Sequence, residues 1–407
     1  MKTKISGNPI ATIRQNEAYI DGFSTKSIVK KFGTPVFIYS ENKIRSNCVD
    51  FLQIFQKFFR NPLVLYSFKA NYLPQICEII KSEGIGAEIV TAFELELAIK
   101  LKFNPKHIHL GGVYLTDDTL KIALQNQVGL ISVYSFTQLS NLIKLAKDIE
   151  KTQDIGVRIV SPKFDRRIGF VPTKENFLKI TEILSKSDNL KLTTLHSHYG
   201  TQMMKPSIFK TNTKYILDAA SLMEEAGVTV TQLNLGGGFP EATVINNVQL
   251  EKIGNDISQL LKEHGYQNIK IVFEPGRYIV GDAGILLAKV IDVNFQEQKW
   301  IYVDAGTNIC PIWANSNLRF FCANKINLPH NIPINIAGPL PTYMDVLAKK
   351  TPFIKNVELN DTLMILNVGA YNLSWGTLFP FPQPPCAIIK DNQLIEIRSQ
   401  KNPSFIL

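Results

Sequence analysis

Hydrophobic and polar residues follow two alternating patterns through the middle of the chain. Between residues 60 and 285, short runs rich in Val, Ile and Leu have the length and composition of buried β-strands. Segments such as FELELAIKL and KYILDAASLMEEAG separate these runs with the apolar spacing of α-helices, and the second ends at Gly227, a residue type typical of helix C-termini. The eight predicted strands are residues 63–68, 86–90, 107–111, 130–133, 155–160, 192–196, 232–235 and 270–273.

The alternation of strands and helices predicts the fold of this region. Strands separated by helices form βαβ units and a parallel sheet. Eight such strands are the number required by a closed (β/α)8 TIM barrel, which we expect over residues 38–285. A doubly wound sheet is the alternative, but no GxGxxG motif follows the first strand.

The pattern changes after residue 285. Short apolar runs at residues 286–295, 300–304, 332–337, 362–367 and 386–397 lie between turns rich in Gly, Pro and Asn, without long helical segments. This pattern is typical of antiparallel β-structure. We therefore expect a β-sandwich or β-barrel domain built from residues 1–37 and 286–407.

Composition and charge narrow the class of protein without indicating a reaction. The 407 residues are 45% hydrophobic and 19% charged, as in an ordinary globular chain with a large core. The net charge of +9 arises from lysines scattered along the chain, so we expect no nucleic-acid partner. The five cysteines form no CxxC pair, which argues against a disulfide framework and a structural zinc site. No run resembles a signal peptide or a membrane span, so we expect no membrane contact and a cytoplasmic location.

Unusual polar residues follow four of the predicted strands. In a β/α barrel, the catalytic groups lie at the C-terminal ends of the strands. Lys69 follows the first strand within YSFKAN, and HSHYGTQ (196–202) follows the sixth. GGGFP (236–240) follows the seventh strand and EPGR (274–277) follows the eighth. We therefore expect these four segments to meet at one end of the barrel.

Three of these features allow both a structural and a chemical interpretation. Lys69 is either the first solvated residue after a strand or a lysine that binds a carbonyl cofactor. The three glycines form a flexible turn or, beside a helix start, an anion site made of backbone amides. Arg277 forms a surface ion pair or a bidentate contact with a phosphate.

His196, His198 and Glu274 are the remaining candidate site residues at the ends of the predicted strands. His196 and His198 lie on one face of the backbone because side chains alternate; this spacing suits a metal, but no matching Asp or His set follows the other strands. Glu274 is either a buried, paired carboxylate or the partner of a pyridine nitrogen, whose proton it would retain. An imine-forming lysine, a phosphate site, a flat ring and a carboxylate together predict a pyridoxal 5'-phosphate (PLP) site.

With these motifs the chain resembles the fold-type III PLP enzymes, specifically the diaminopimelate/ornithine/arginine decarboxylase family. In layout it is most similar to diaminopimelate decarboxylase. The resemblance runs from GTPVFIYS at 33–40, through the four strand-end segments and EPGRYIV, to GAY at 369–371. It implies an alanine racemase-like barrel with a C-terminal antiparallel β domain.

The resemblance also implies roles for individual residues. Lys69 would hold the cofactor as a Schiff base, His198 would stack on its ring and Glu274 would face the pyridine nitrogen. A homodimer is implied, in which the partner's C-terminal domain completes each active site. The positions implied in cofactor binding, beyond those three, are Thr201, Gly236, Gly237, Gly238, Gly276, Arg277 and Tyr371.

The part of the site that meets the substrate departs from the family's pattern. The family's Gly-Pro-x-Cys-x-x-x-Asp segment is here GPLPTYMD (338–345), with Asp345 retained and Pro341 in place of the cysteine that handles the proton. Thr342 stands where diaminopimelate decarboxylases have glutamate, and TNICPIWANSN replaces an Arg-Pro pair after residue 306. Glu88 stands where aspartate is common. The cofactor half is intact, whereas the substrate half has been rebuilt.

The predicted activity is PLP-dependent decarboxylation of an α-amino acid, a small-molecule substrate that need not be diaminopimelate. Tyr343 and Asp345 join Lys69, His198 and Glu274 as predicted catalytic residues. Because proline has no ionisable group, the acid at the substrate's Cα is Tyr343, Cys310 or a water, or the site has no dedicated acid. Two alternatives stay open: an amino-acid racemase or epimerase on the same fold, and a PLP carrier without catalysis.

Overall fold

The structure, a computed structural model, describes residues 3–163 and 166–400. Two compact units make up the chain. The barrel unit consists of residues 48–240 and 244–276, and the β unit of residues 1–47, 241–243 and 277–407. The domain limits expected from the sequence, a barrel at 38–285 and a β domain at 1–37 and 286–407, stay a prediction.

Eight parallel strands close the barrel unit. Their order around the barrel follows the chain from β6 to β13, and β13 pairs with β6 to complete the circle. The predicted (β/α)8 barrel is therefore confirmed. The strands are β6 Leu63–Ser67, β7 Gly86–Ile89, β8 Ile108–Gly111, β9 Leu130–Val133, β10 Gln153–Arg158, β11 Leu190–His196, β12 Gln232–Asn234 and β13 Lys270–Phe273.

Side-chain caps mark the start of several barrel helices. Thr91 Oγ1 accepts a hydrogen bond from the backbone N–H of Glu94 at the start of one helix, and Asn246 and Gln249 form a capping box at another. The helices are α1 Thr25–Phe32, α2 Glu41–Gln56, α3 Pro74–Ser82, α4 Ala92–Lys100, α5 Asp117–Gln125, α6 Phe136–Asp148, α7 Lys174–Leu184, α8 Pro206–Glu225, α9 Asn247–Glu263 and α10 Arg277–Val280. Among the helices that the structure describes, none is long and apolar enough to cross a bilayer.

A buried aromatic cluster holds the last two barrel strands against their helices. Phe55 packs on Phe273 at the end of β13, with ring centroids 4.3 Å apart. Phe239 lies 4.9 Å from Phe51 and 4.5 Å from Phe209 by the same measure. Aromatic pairs at these distances stabilise by about 1 kcal/mol beyond their area burial. The cluster therefore anchors the residue that directly follows the three glycines.

The β unit contains two sheets around a separate hydrophobic core. Residues of β1 to β4 form a four-stranded antiparallel sheet, and nine strands form a larger sheet in which β14 pairs with β5, β15 and β19. The strands are β1 Thr3–Lys4, β2 Ala11–Arg14, β3 Glu17–Ile20, β4 Phe23–Ser24, β5 Val36–Ser40, β14 Gly284–Asn294, β15 Trp300–Val303, β16 Arg319–Cys322, β17 Ile332–Ala337, β18 Val346–Phe353, β19 Thr362–Leu366, β20 Cys386–Lys390 and β21 Gln393–Arg398.

The second domain is confirmed as mostly antiparallel, although strands β16 and β18 were not predicted and the larger sheet differs in two further ways. The pairs β15–β17 and β5–β20 are parallel, so the larger sheet is mixed. Residues 386–397, predicted as one strand, form the hairpin of β20 and β21. Asp391 and Asn392 turn the chain there with φ values of 48° and 54°. Asp and Asn tolerate this left-handed conformation, which two-residue hairpin turns require.

Candidate active site

Lys69 lies at the C-terminal end of the first barrel strand, as predicted. It occupies a single 3-10 turn, Phe68–Ala70, directly after β6. Its Nζ forms an ion pair with Glu88 Oε2 at the end of β7, and the side chain of Lys69 is 38% exposed whereas that of Glu88 is 7% exposed. The amine is therefore both held by a carboxylate and open to a ligand.

Glu274 is buried among polar side chains at the end of β13. Its Oε1 accepts a hydrogen bond of 2.6 Å from Asn234 Nδ2, and its Oε2 lies 3.4 Å from His196 Nε2. Burial alone would raise the pKa of Glu274. The contacts with His196 and Asn234 and the charge of Lys69 outweigh burial and hold that pKa below its ordinary value. Glu274 is therefore a carboxylate that stays ionised in a buried place.

The two histidines of the HSHYGTQ segment have different surroundings. His196 is buried; Arg158 Nη1 lies 2.9 Å from its Nε2, and Ser132 Oγ lies 3.3 Å from its Nδ1. His196 Nε2 therefore lies within reach of both Arg158 and Glu274 Oε2, and burial lowers the pKa of His196. His198 is half-buried, and its Nδ1 accepts from the backbone N–H of Gly237 at 3.3 Å. Burial and the charges of Arg158 and Lys69 lower the pKa of His198 to about 3, so its ring is neutral.

The three glycines pass close to the ends of the neighbouring strands. A Cβ on Gly236 would lie 2.4 Å from the carbonyl oxygen of Ser197, and one on Gly238 would lie 2.3 Å from that of Gly200. Both residues also have left-handed φ values, 69° and 85°. A Cβ on Gly237 would lie 2.3 Å from the carbonyl oxygen of Glu274. Glycine is therefore required at all three positions, and the segment presents bare backbone at the barrel's end.

Thr201 and Gly276 lie at the same end of the barrel. Thr201 is exposed and follows the HSHY residues after β11. Gly276 lies two residues after Glu274 and is the last residue of the barrel unit. Their predicted contacts with a phosphate stay a prediction.

Arg277 and Tyr371 belong to the β unit and contact each other. The guanidinium Cζ of Arg277 lies 4.8 Å from the centre of the Tyr371 ring. Arg277 also donates to Glu241 Oε1 at 3.4 Å and to Ser316 Oγ at 3.0 Å, and it donates to the carbonyl of Ala314. The guanidinium is thus fixed by protein groups, and the bidentate phosphate contact expected from the sequence stays a prediction.

The GPLPTYMD loop of the β unit is organised around Asp345. Its Oδ1 accepts from the N–H and the hydroxyl of Thr307 at 2.7 and 3.0 Å, and its Oδ2 accepts from the N–H of Leu340 at 2.7 Å. Asp345 is 3% exposed, whereas the neighbouring Tyr343 is 92% exposed. The aspartate therefore ties two loops together and leaves the tyrosine projecting from the surface of the unit.

Cys310, the other candidate acid, is buried in the β unit. Asn372 Nδ2 lies 3.5 Å from its sulfur, and burial raises the pKa of this thiol to about 12. In the part of the chain that the structure describes, no three His, Cys, Asp or Glu side chains converge as metal ligands would.

The barrel end combines features that fit PLP. An accessible amine, a buried ionised carboxylate, a neutral imidazole and a glycine segment without room for a Cβ lie in one unit. These groups match an aldehyde, a protonated pyridine ring, a ring face and a phosphate. The site has the chemistry of a PLP enzyme on an alanine racemase-like barrel.

Comparison with known proteins identifies the family. Residues 42–281 match the family model described as pyridoxal-dependent decarboxylase, pyridoxal binding domain. The chain is 28% identical to diaminopimelate decarboxylase of Aquifex aeolicus, with 98% of this chain and 97% of the relative covered. It is 27% identical to the Staphylococcus aureus enzyme of the same name, with 95% and 96% covered.

Solved structures agree with the fold. A crystal structure from Aquifex aeolicus matches with a TM-score of 0.84 and 27% identity over 98% of this chain and 97% of that one. Diaminopimelate decarboxylase of M. jannaschii, in complex with L-lysine, matches with a TM-score of 0.89 and 24% identity over 98% and 96%. The chain belongs to the pyridoxal-dependent decarboxylase family. It is a PLP-dependent carboxy-lyase that acts on an amino acid.

Three polar residues of these clusters are absent from the sequence prediction. Asn234 and Arg158 each end a barrel strand, β12 and β10, which is a position where chemistry concentrates. Their position at the C-terminal ends of barrel strands was a usable signal. Glu241 directly follows GGGFP, yet its pairing with Arg277 depends on contacts that no local pattern shows.

Proposed function

We propose that Lys69 is the covalent attachment point of PLP and that the barrel end from Lys69 to Glu274 is its binding site. The observation that carries this assignment is the buried, ionised Glu274 in the same unit as the accessible Lys69 amine. When bound, PLP supplies an electron-withdrawing ring that accepts the electrons released as carbon dioxide leaves the substrate.

Each barrel residue then has a physical role. Glu274 would keep a proton on the pyridine nitrogen, because the carboxylate is ionised and buried. His198 would lie against the ring, and its neutral state would avoid placing a second cation beside that proton. Glu88 orients the Lys69 amine. Thr201, Gly276 and the backbone of 236–238 would bind the phosphate, and Arg277 and Tyr371 are kept as further proposed phosphate ligands.

The substrate is an α-amino acid, and its Cα must be reprotonated after carbon dioxide leaves. Of the two candidate acids, Tyr343 is 92% exposed, whereas Cys310 is 1% exposed and has a pKa raised to about 12. We therefore assign the proton transfer to the Tyr343 hydroxyl, and assign to Asp345 the positioning of its loop.

Borohydride trapping tests the assignment of Lys69. Borohydride reduces an imine to a stable secondary amine, so the reduced protein should carry a pyridoxyl label on the peptide that contains Lys69. The Lys69→Arg variant, which keeps the positive charge, should acquire no label there. A label on another lysine, or a protein that does not absorb light near the PLP band after cofactor addition, would refute the assignment.

We propose further that the active form is a homodimer with shared sites, since the predicted catalytic residues divide between the two units. Mixing Lys69→Ala with Asp345→Ala chains should restore about a quarter of wild-type activity, because half of the dimers are hybrids with one intact site of two. Subunit exchange is checked by native mass spectrometry. Exchange without recovery would contradict shared sites. The cytoplasmic location stays a prediction, which cell fractionation tests.

A further inference from the structure

A cavity of the barrel unit lies at the N-terminal ends of the strands, opposite to the end where Lys69 lies. Its volume is about 490 Å³, within the range of small-molecule sites in proteins. The segments that line it precede or begin β8, β9, β10, β11 and β13. Lys270 begins β13 and Glu274 follows the end of that strand, so about 13 Å of extended chain separates the cavity from the cofactor site.

Five charged side chains line this cavity. Lys106, Lys191 and Lys270 stand against Asp154 and Asp188, which gives the lining a net charge of +1, and all five residues are exposed. Among the residues that the structure describes, none of these five side chains forms an ion pair or a hydrogen bond. Charges that stabilise this end of a barrel would pair with one another. These charges are instead held apart and open to a ligand.

Hydrogen bonds of the surrounding backbone fix the wall of the cavity. The buried Gln153 donates from Nε2 to the carbonyl oxygens of Val128 and Asp154, both at 2.9 Å. The N–H of Gln153 donates to the carbonyl oxygen of Asn189 at 2.8 Å, and Asn189 Nδ2 donates to that of Lys151 at 3.2 Å. The segments before β9, β10 and β11 are therefore tied together before any ligand binds.

Lys270 indicates which charge the cavity lacks. The surrounding protein removes water from its ammonium and so lowers the pKa of Lys270, and the opposite charge of Asp154 offsets this effect only in part. A further anion beside Lys270 would raise that pKa and stabilise the charged form. The electrostatics of the cavity therefore favour a ligand that brings negative charge.

We propose that this cavity is a second ligand site of the protein and that it binds a small amino acid with an acidic side chain. Such a molecule carries two carboxylates and one ammonium, so its net charge complements that of the lining. The lysines donate to its carboxylates, and Asp154 or Asp188 accepts from its ammonium. The inference does not depend on the proposed function, because the cavity and the cofactor site lie at opposite ends of the barrel.

An anion without an ammonium is the competing ligand. Inorganic phosphate would meet the lysines, but the two aspartates of the same lining would repel it. Glutarate, which is glutamate without its amino group, has the same disadvantage. Only an acidic amino acid gains from both signs of charge in the lining, so a comparison of these three ligands tests the proposal.

The test is calorimetric titration of the PLP-loaded protein after reduction with borohydride. Reduction leaves no imine that an amino acid could displace, so binding at the cofactor is blocked. L-Glutamate should bind at one site per chain. Glutarate and phosphate should bind at least about fivefold more weakly, because neither offers an ammonium to the aspartates.

Matched variants locate the bound molecule. Lys191 lines the cavity and Lys262 does not, and both are exposed. Lys191→Gln should weaken the binding of glutamate and of glutarate by about fivefold, and Lys262→Gln should leave both unchanged. Asp154→Asn should weaken glutamate by about fivefold without weakening glutarate, because only glutamate has an ammonium. Thermal melting reports that each variant is folded.

Three results would overturn the inference. The first is glutamate binding no tighter than glutarate or phosphate, which would make the cavity a simple anion site. The second is no heat from glutamate up to about 10 mM, a concentration at which a Kd of about 1 mM is detected. The third is glutamate binding that Lys191→Gln and Asp154→Asn leave unchanged, which would place the ligand elsewhere. None of these results bears on PLP at Lys69, which the borohydride label tests separately.

Discussion

Replacing Gly237 with alanine should damage the cofactor site through a steric clash alone. The added Cβ would lie 2.3 Å from the carbonyl oxygen of Glu274, and 3.7 Å from His198 Cε1. Ordinary contacts begin near 3.4 Å, so the end of β13 must move by about 1 Å. That movement displaces Glu274, the carboxylate assigned to the pyridine nitrogen. Gly237 has no left-handed φ, so the whole effect is steric.

The expected magnitude follows from the cost of overpacking. Inserting a methyl group into a packed site costs about 1–3 kcal/mol, which corresponds to a roughly fivefold to 150-fold weaker binding of PLP if the cost falls on the bound form. The assay is a titration of the cofactor-free protein with PLP, read by absorbance. Gly227→Ala is the control: its φ is 87° and nothing lies within 4 Å of the added Cβ, so it should lose only stability, about 1 kcal/mol. Equal PLP affinity in Gly237→Ala and wild type would refute the reasoning.

Three further substitutions follow from the contacts. Burial raises the pKa of Glu94 to about 7 from 4.5, so the folded wild type stays protonated while the unfolded chain ionises, and stability is lost as pH rises from 4.5 through 7. Glu94→Gln should remove this loss of stability, which is about 3 kcal/mol. The variant should therefore have a higher melting temperature than the wild type at pH 8 but not at pH 4.5. Equal melting temperatures of the two proteins at both pH values would contradict this prediction. Asp345→Asn replaces one of the two carboxylate oxygens that accept the three hydrogen bonds with a donor group, and should lower the free energy of unfolding by about 1–3 kcal/mol. Denaturant unfolding measures this loss, with Asp292→Asn as the control at an exposed site. Equal stability of the two variants would argue against the role of Asp345 in holding the loop. Glu274→Gln should lower kcat at least about a hundredfold while Lys69 still takes the borohydride label, and unchanged turnover would remove Glu274 from the mechanism.

The barrel and its site were predictable because local patterns there coincide with the fold. Buried strands such as Leu130–Val133 and Lys270–Phe273 are short β-branched runs, and their predicted limits match the structure. Lys69 and Glu274 follow such runs, so the topology of the barrel alone brings them to one end. The chemistry of a site can be read from sequence when each residue sits at the end of a strongly patterned strand.

The β unit was harder to predict because its strands are less regular. Strand β18, Val346–Phe353, lies at the edge of the larger sheet and carries Lys349 and Lys350. Lysines on an edge strand disfavour pairing with another chain, but they also interrupt the hydrophobic pattern by which a strand is recognised. Two contacts join residues more than 30 positions apart in the chain: the ion pair of Glu241 with Arg277 and the hydrogen bond from Thr307 to Asp345. Such tertiary contacts decide whether a polar residue is free for chemistry, and no single sequence displays them.

Release of labelled carbon dioxide tests the central claim most directly. The PLP-loaded protein is incubated in heavy water with α-amino acids that carry carbon-13 in the carboxyl group. The gas is trapped while the amine product is examined for deuterium at Cα. The assignment predicts labelled carbon dioxide and amine in equal amounts, with one deuteron at Cα, and none of either from Lys69→Arg. Deuterium exchange or racemisation at Cα with the carboxyl label retained would contradict decarboxylation and favour a racemase.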